Sequence, residues 1–219
     1  MSTEIMIGQT LNPEQRTENP EPYPPLPLSK KSYLCRKSVT GRIILVLFYN
    51  TKIMKEKSIG LLNKAVADEL TAVHQYMYFH FHCDDQGFDL LANLFKRTAI
   101  EEMLHVERLA ERILFLKGDV KMDVSGPNTY ITDVKEMLTL AREMEESSAR
   151  DYNIWANECA QNADSVSKKL FEALVEDEER HFAQYDIEME NLEKFGDKYL
   201  ALQSIERSRN SSMGAAGAD

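Results

Sequence analysis

A chain of 219 residues with 43% hydrophobic content can bury one full core, and its formal charge of −10 argues against a nucleic-acid surface and for dealings with cations. Its three cysteines, Cys35, Cys83 and Cys159, form no CxxC pair and suggest no disulfide framework, so a reducing cytoplasm is the expected location. The longest apolar run, Ile43 to Tyr49, is too short to cross a bilayer, and no membrane anchor is expected.

Residues 1–53 differ in kind from the rest. They hold six of the seven prolines and carry 7 basic against 4 acidic residues, whereas the acidic excess lies wholly beyond them. The Pro-rich part cannot be helical and is expected to be an extended, disordered extension. It reads either as a targeting or docking tail or as an over-extended start. The second is favoured because Met54-Lys55-Glu56-Lys57-Ser58 stands directly before the first amphipathic stripe, which would make 54–207 the folded domain.

Helix formers then dominate, and the expected class is all-α. From about Ser58 to Cys83, the residues Leu62, Val66, Glu69, Val73, Tyr76 and His80 recur in steps of three and four, one stripe of a helix. After Asp84, Asp85 and Gly87, a second helix is predicted from about Asp89 to Lys117, stopped by Gly118, with Phe95, Glu102, His105 and Leu109 inward. Residues 119–132 have no helical period and are long enough to run the length of a bundle. A third helix opens at Asp133 with Glu136 in a capping-box spacing, its stripe carrying Leu138, Glu145, Tyr152, Trp155 and Cys159. A fourth, from about Ser167 to Phe195, carries Phe171, Leu174, Glu178, His181 and Tyr185. Gly196 closes it, a short fifth helix is expected from Lys198 to about Arg207, and 208–219 is expected to be a disordered tail.

The two helical hairpins repeat one pattern. Glu102 and His105 stand one turn apart on one helix face, as do Glu178 and His181, and each pair has a glutamate 33 residues upstream, Glu69 and Glu145. The whole pattern is offset by 76 residues, and so are Tyr76 and Tyr152, Cys83 and Cys159, and Glu101 and Asp177. A lone Glu-x-x-His is commonplace on a solvated helix face. Two copies with matched upstream glutamates are the ligand set of a dinuclear carboxylate site in a four-helix bundle.

All six residues lie on stripes that also carry the core. Four carboxylates buried together would each lose solvation and repel the others, and no lysine or arginine shares their mid-helix stripes. Two divalent cations would neutralise them. Carboxylate with imidazole suits iron, manganese or zinc rather than calcium. Glu101 and Asp177 are either acceptors for the free imidazole nitrogens or plain solvated acids. With the first and third helices antiparallel, Cys83 and Cys159 should lie at opposite ends of the bundle, unpaired.

The segments ADELTAVHQY (67–76), EEMLHVERLAERILFL (101–116), VEDEERHF (175–182) and NLEKFGDKYLALQSI (191–205) closely resemble bacterioferritin, from about Ser58 to Ile205. The resemblance implies a ferritin-like four-helix bundle with a long crossover between helices 2 and 3. It also implies a ferroxidase that oxidises Fe2+ with O2 or hydrogen peroxide and stores ferric mineral in a shell, a homo-oligomer of 24 subunits. Glu102 and Glu178 would bridge a di-iron pair, with Glu69 and His105, and Glu145 and His181, as terminal ligands. Tyr76 matches a tyrosine near that site which could supply an electron, or is a core aromatic. Met103 matches the methionine that ligates haem b at a subunit twofold interface, or is an ordinary contact residue.

Two rivals remain at this level. A non-storage di-iron peroxidase or oxidase of the rubrerythrin kind would normally carry a CxxC-bound iron module, which is missing. A metal-free structural bundle would have to accommodate four buried glutamates without a counter-charge.

Overall fold

The computed structural model describes the backbone of residues 39–215 and the side chains of residues 53–208. Five helices follow in order: α1 (Val39–Asp85), α2 (Asp89–Phe115), α3 (Val134–Gln161), α4 (Ser165–Phe195) and α5 (Asp197–Ala215), with no strand among the described residues. The all-α class is as expected. No helix among the described residues is long and apolar enough to cross a membrane.

Two boundaries differ from expectation at the ends of the chain. α1 begins at Val39, so the boundary at Met54 falls inside a continuous helix, while residues 1–38, with Cys35, lie outside the described residues. The last proline before α1 is Pro27, and nothing after it forbids helical backbone. α5 runs on to Ala215 instead of ending near Arg207, so most of the expected tail is helical. No proline interrupts it, and residues 216–219 lie outside the described residues.

The turns carry the twofold repeat into the backbone. At the end of α1, Gly87 takes φ 83° while Phe88 N donates to Cys83 O at 2.9 Å. At the end of α3, 76 residues later, Ala163 takes φ 56° while Asp164 N donates to Cys159 O at 2.9 Å. Both are left-handed closures in which the bond from beyond the helix caps an orphan carbonyl. α2 ends the same way, but its left-handed residue is Lys117 (φ 66°), not the expected Gly118. Gly118 is needed for another reason: a Cβ there would lie 2.8 Å from Ile59 Cγ2. At the opposite ends, Asp133 Oδ1 accepts from Glu136 N at 3.0 Å and Asp164 Oδ1 from Ser167 N at 3.1 Å, capping α3 and α4.

α1 packs along α2, and α3 along α4; α1 also meets α3, and α2 meets α4. The crossover between α2 and α3 is held to α1 by a ladder of side-chain bonds to its backbone. Asn63 Nδ2 donates to Asp119 O (3.1 Å) and Asn63 Oδ1 accepts from Lys121 N (2.8 Å). Thr71 Oγ1 accepts from Ser125 N (2.9 Å), Gln75 exchanges two bonds with Thr129 (2.7 and 2.9 Å), and Gln86 reaches Thr132 O (3.0 Å). The rungs rise together from Asn63 to Gln86, so the crossover travels alongside α1 in the same direction. It delivers α3 at the far end of α1, antiparallel to it.

The core divides in two. Leu62, Val66, Leu109, Ile113, Trp155, Phe171 and Leu174 fill one half, and Phe79, Leu91, Phe95, Leu138, Tyr185 and Met189 the other. Cys159 belongs to the first and Cys83 to the second, both as free buried thiols, which agrees with their expected separation.

Gln75 is 2% exposed and binds both backbone polar groups of Thr129, so Gln75→Ala removes two hydrogen bonds that pin the crossover to α1. The expected cost is about 2 kcal/mol in a denaturant titration. The exposed Gln161→Ala is the control and should stay within about 0.5 kcal/mol of the parent.

Candidate metal centre

Between the two half-cores lies a polar layer built by all four bundle helices. α1 supplies Glu69, α3 supplies Glu145, and α2 and α4 each supply a glutamate and a histidine. Successive inward positions on a helix differ by three or four residues, so Glu102 and His105, like Glu178 and His181, project side by side. All six are at most 3% exposed.

Their donor atoms converge as two cups. One is formed by Glu69, Glu102, His105 and Glu178, the other by Glu102, Glu145, Glu178 and His181, with one atom per residue lying within 4.8 Å of the others in each cup. Glu102 and Glu178 belong to both. His105 Nδ1 lies 2.8 Å from Glu102 Oε2 and 3.3 Å from both Glu69 Oε1 and Glu178 Oε1. His181 Nδ1 lies 3.1 Å from Glu102 Oε1 and 3.5 Å from Glu145 Oε2.

Close as they are, Glu102 Oε1 and Oε2, Glu145 Oε2, Glu178 Oε1 and both histidine Nδ1 atoms lack an aligned hydrogen bond. Buried orphan atoms of this kind are costly, and here they all point into the same two spaces. Ligand atoms about 2.1 Å from one ion lie at most about 4.2 Å apart, so a cation in each cup needs only a small contraction. The donor set fits a pair of first-row metal ions.

The protonation state without metal reflects the same crowding. Burial pushes Glu69 and Glu178 well above the usual carboxylate range, and the charge of Glu102 adds to both shifts. Glu145 is raised as well, by burial and by Glu102. Burial opposes ionisation of Glu102 too, but the two histidines beside it, 2.8 and 3.1 Å away, outweigh it and hold that carboxyl down at about 2. Burial disfavours imidazolium, yet Glu102 and Glu145 push His181 up to about 11, and Glu102, Glu178 and Glu69 raise His105 strongly. Both shifts favour imidazolium, whose Nδ1 proton would occupy the lone pair that a metal needs.

A second tier of contacts crosses between the hairpins. Tyr76 OH donates to Glu145 Oε1 at 2.5 Å, and Tyr152 OH donates to Glu69 Oε1 at 2.8 Å. His181 Nε2 faces Glu101 Oε2 at 2.6 Å, and His105 Nε2 faces Asp177 Oδ2 at 3.3 Å. Glu101 and Asp177 therefore sit as acceptors for the free imidazole nitrogens rather than as solvated acids alone.

Sequence reasoning singled out Tyr76 but not Tyr152, although the 76-residue offset pairs them. It also missed Arg180 and Arg108, which bind Glu101 and Asp177 on the outer side of the histidines. No repeat signal could have found these, because their partners at the same offset are Leu104 and Gln184. Met103 lies apart from the cups, 53% exposed, beside the similarly exposed Ile100 and Leu104.

A family model described as a ferritin-like domain matches residues 59–195. The bacterioferritin of Desulfovibrio desulfuricans is 35% identical over 152 residues, covering 69% of this chain and 85% of the relative. A solved structure of D. desulfuricans bacterioferritin, described by its diiron site in different catalytic states, aligns with a TM-score of 0.69 at 34% identity over 70% of this chain and 90% of that one. Rhodobacter capsulatus bacterioferritin, described with a metal-free dinuclear site and a haem iron in a crystallographic special position, aligns with a TM-score of 0.65 at 31% identity over 68% and 93%.

Metal ligation needs the Nδ1 lone pair of each histidine, so binding must expel the protons held there. Filling both cups near pH 7 with Zn2+ should release about two protons per chain or more, read with an indicator dye in weak buffer. Affinity should therefore rise with pH. Uptake without proton release would contradict the protonated metal-free state.

Proposed function

This chain belongs to the ferritin-like family and, within it, to the bacterioferritins; on that premise we propose that it oxidises Fe2+ at the paired cups and stores the ferric product inside a closed shell of 24 copies. The observation that carries the reading is the sharing of Glu102 and Glu178 between two otherwise separate four-residue cups. Those two glutamates would serve both metal positions, with Glu69 and His105 completing one and Glu145 and His181 the other.

When bound, an iron pair supplies two electrons, one from each ion, to O2 or hydrogen peroxide. The residues do the rest. Four carboxylates offset the charge of two divalent ions and, as hard oxygen donors, favour the ferric state over the ferrous. Tyr76 and Tyr152 fix Glu145 and Glu69 through their hydroxyls, and the half-cores on either side exclude water from the layer. On this reading Tyr76, buried and bonded to a ligand carboxylate, would also give up an electron to the site.

The acidic surplus of the folded part draws Fe2+ to the protein. The sparse cysteines, without a CxxC pair, fit residence in a reducing compartment such as the cytoplasm. Met103 stands on an exposed apolar strip of α2 with Ile100 and Leu104, a surface suited to a second copy, and its thioether would hold a haem there.

The test is an aerobic Fe2+ titration of metal-free protein. Rapid ferric absorbance up to about two ions per chain should be followed by continued uptake into soluble mineral, in particles of the mass of a large shell. Uptake that stops near two would make this a di-iron enzyme that stores nothing. Glu102→Ala removes a donor from both cups and should abolish the rapid phase; a variant oxidising at the parent rate would overturn the assignment.

Haem is tested separately. Met103→Leu should lose the Soret band of haem-reconstituted protein while leaving the rapid iron phase intact, since Met103 contacts neither cup.

A further inference from the structure

Each histidine of the metal layer turns one nitrogen into a cup and the other outward, and the outward nitrogens meet carboxylates of the opposite hairpin. Glu101 on α2 faces His181 on α4, and Asp177 on α4 faces His105 on α2. One guanidinium joins the two acceptors. Arg180 Nη1 donates to Glu101 Oε2 at 2.8 Å, and Nη2 donates to Asp177 Oδ1 at 3.0 Å. Glu101 Oε2 thus accepts from His181 and Arg180 together.

We propose that Arg180 is a positioning residue for the iron site, holding Glu101 and Asp177 in place and, through them, both imidazoles with Nδ1 aimed into the cups. This rests on the iron-site reading above. A carboxylate behind a ligating histidine fixes its tautomer and ring rotation, but only if the carboxylate itself stays put. Glu101 and Asp177 are 38% and 30% exposed, so without a tie they are free to turn to water. The planar fork of an arginine spans two carboxylates at once, which a lysine ammonium does not.

The clamp departs from the twofold pattern. At the repeat position of Arg180 stands Leu104, so the repeat supplies no second such tie, and Arg180 reaches the acceptors of both histidines. Arg108 also reaches the layer, but only Asp177, at 3.2 Å. The two arginines therefore differ in reach: Arg180 acts on both cups and Arg108 on the His105 cup alone. Since these ion pairs are substantially exposed, their loss should leave the fold nearly untouched.

The experiment is a Co2+ titration of the metal-free full chain, read by d–d absorbance, which reports ligand geometry without turnover. The parent should bind about two Co2+ per chain. Arg180→Leu, the residue the repeat supplies at position 104, should weaken both binding steps about tenfold or more and alter the spectrum, with thermal stability preserved. Arg108→Gln, matching Gln184 of the repeat, should weaken one step only. Arg180→Lys, which keeps the charge but loses the fork, should also weaken both steps relative to the parent, though less than leucine, and parent-like binding in it decides against the clamp if the leucine variant fails to assemble. Parent-like binding and spectra in the Arg180 variants would overturn the clamp while leaving the iron site standing. A parent that binds no Co2+ would instead overturn the iron-site reading on which the clamp depends.

Discussion

Four carboxylates share a water-poor layer at mid-bundle, and the rest of the molecule is arranged around the need to neutralise them. A buried acid without a partner costs several kcal/mol, and four of them repel one another besides. In the metal-free chain the crowding favours protons on the layer: burial and mutual repulsion raise the carboxyls of Glu69, Glu145 and Glu178, and the neighbouring carboxylates raise both histidines. Protons are an imperfect answer, for they leave six donor atoms buried without aligned bonds. A pair of divalent ions satisfies the same atoms and releases the protons. The cost of the layer without metal is thus the source of its affinity for metal.

Such a layer can exist only if apolar packing on both sides holds it closed. The two half-cores do so, with Leu62, Leu109, Phe171 and their neighbours at one end and Phe79, Phe95, Leu138 and theirs at the other. Neither hairpin alone provides a complete cup, because each cup takes residues from three helices and shares two of them with its neighbour. The crossover decides how the hairpins meet. By running beside α1, pinned at Asn63, Thr71, Gln75 and Gln86, it sets α3 antiparallel to α1 and brings Glu145 to the level of Glu69.

Once the hairpins face each other, the supporting contacts run crosswise. Tyr76 serves Glu145 and Tyr152 serves Glu69, while Glu101 serves His181 and Asp177 serves His105. Each half of the repeat therefore orients the ligands of the other, and neither half is correctly formed alone. Over this near-symmetric frame, Arg108 and Arg180 introduce an asymmetry confined to the outer side of the histidines, where no core packing restricts the choice of residue.

Four bundle helices and six converging side chains are legible in the residues alone, because helical period and the 76-residue repeat are local and additive along the chain. The sequence also identified Glu101 and Asp177 as candidates, from their place beside the ligand glutamates. The ends of α1 and α5 were not legible, since helix continues wherever nothing breaks it and the absence of a breaker is a weak signal. Lys117 in the left-handed position was equally hidden: Gly118 was chosen on conformational freedom, whereas contact with Ile59, distant in sequence, is what excludes a side chain there. Docking of the hairpins, by contrast, settles which tyrosine holds which glutamate, which acid faces which histidine, and that Arg180 spans two helices. Those are pairings between residues about 70 to 80 positions apart, fixed by how the hairpins dock rather than by any pattern within them.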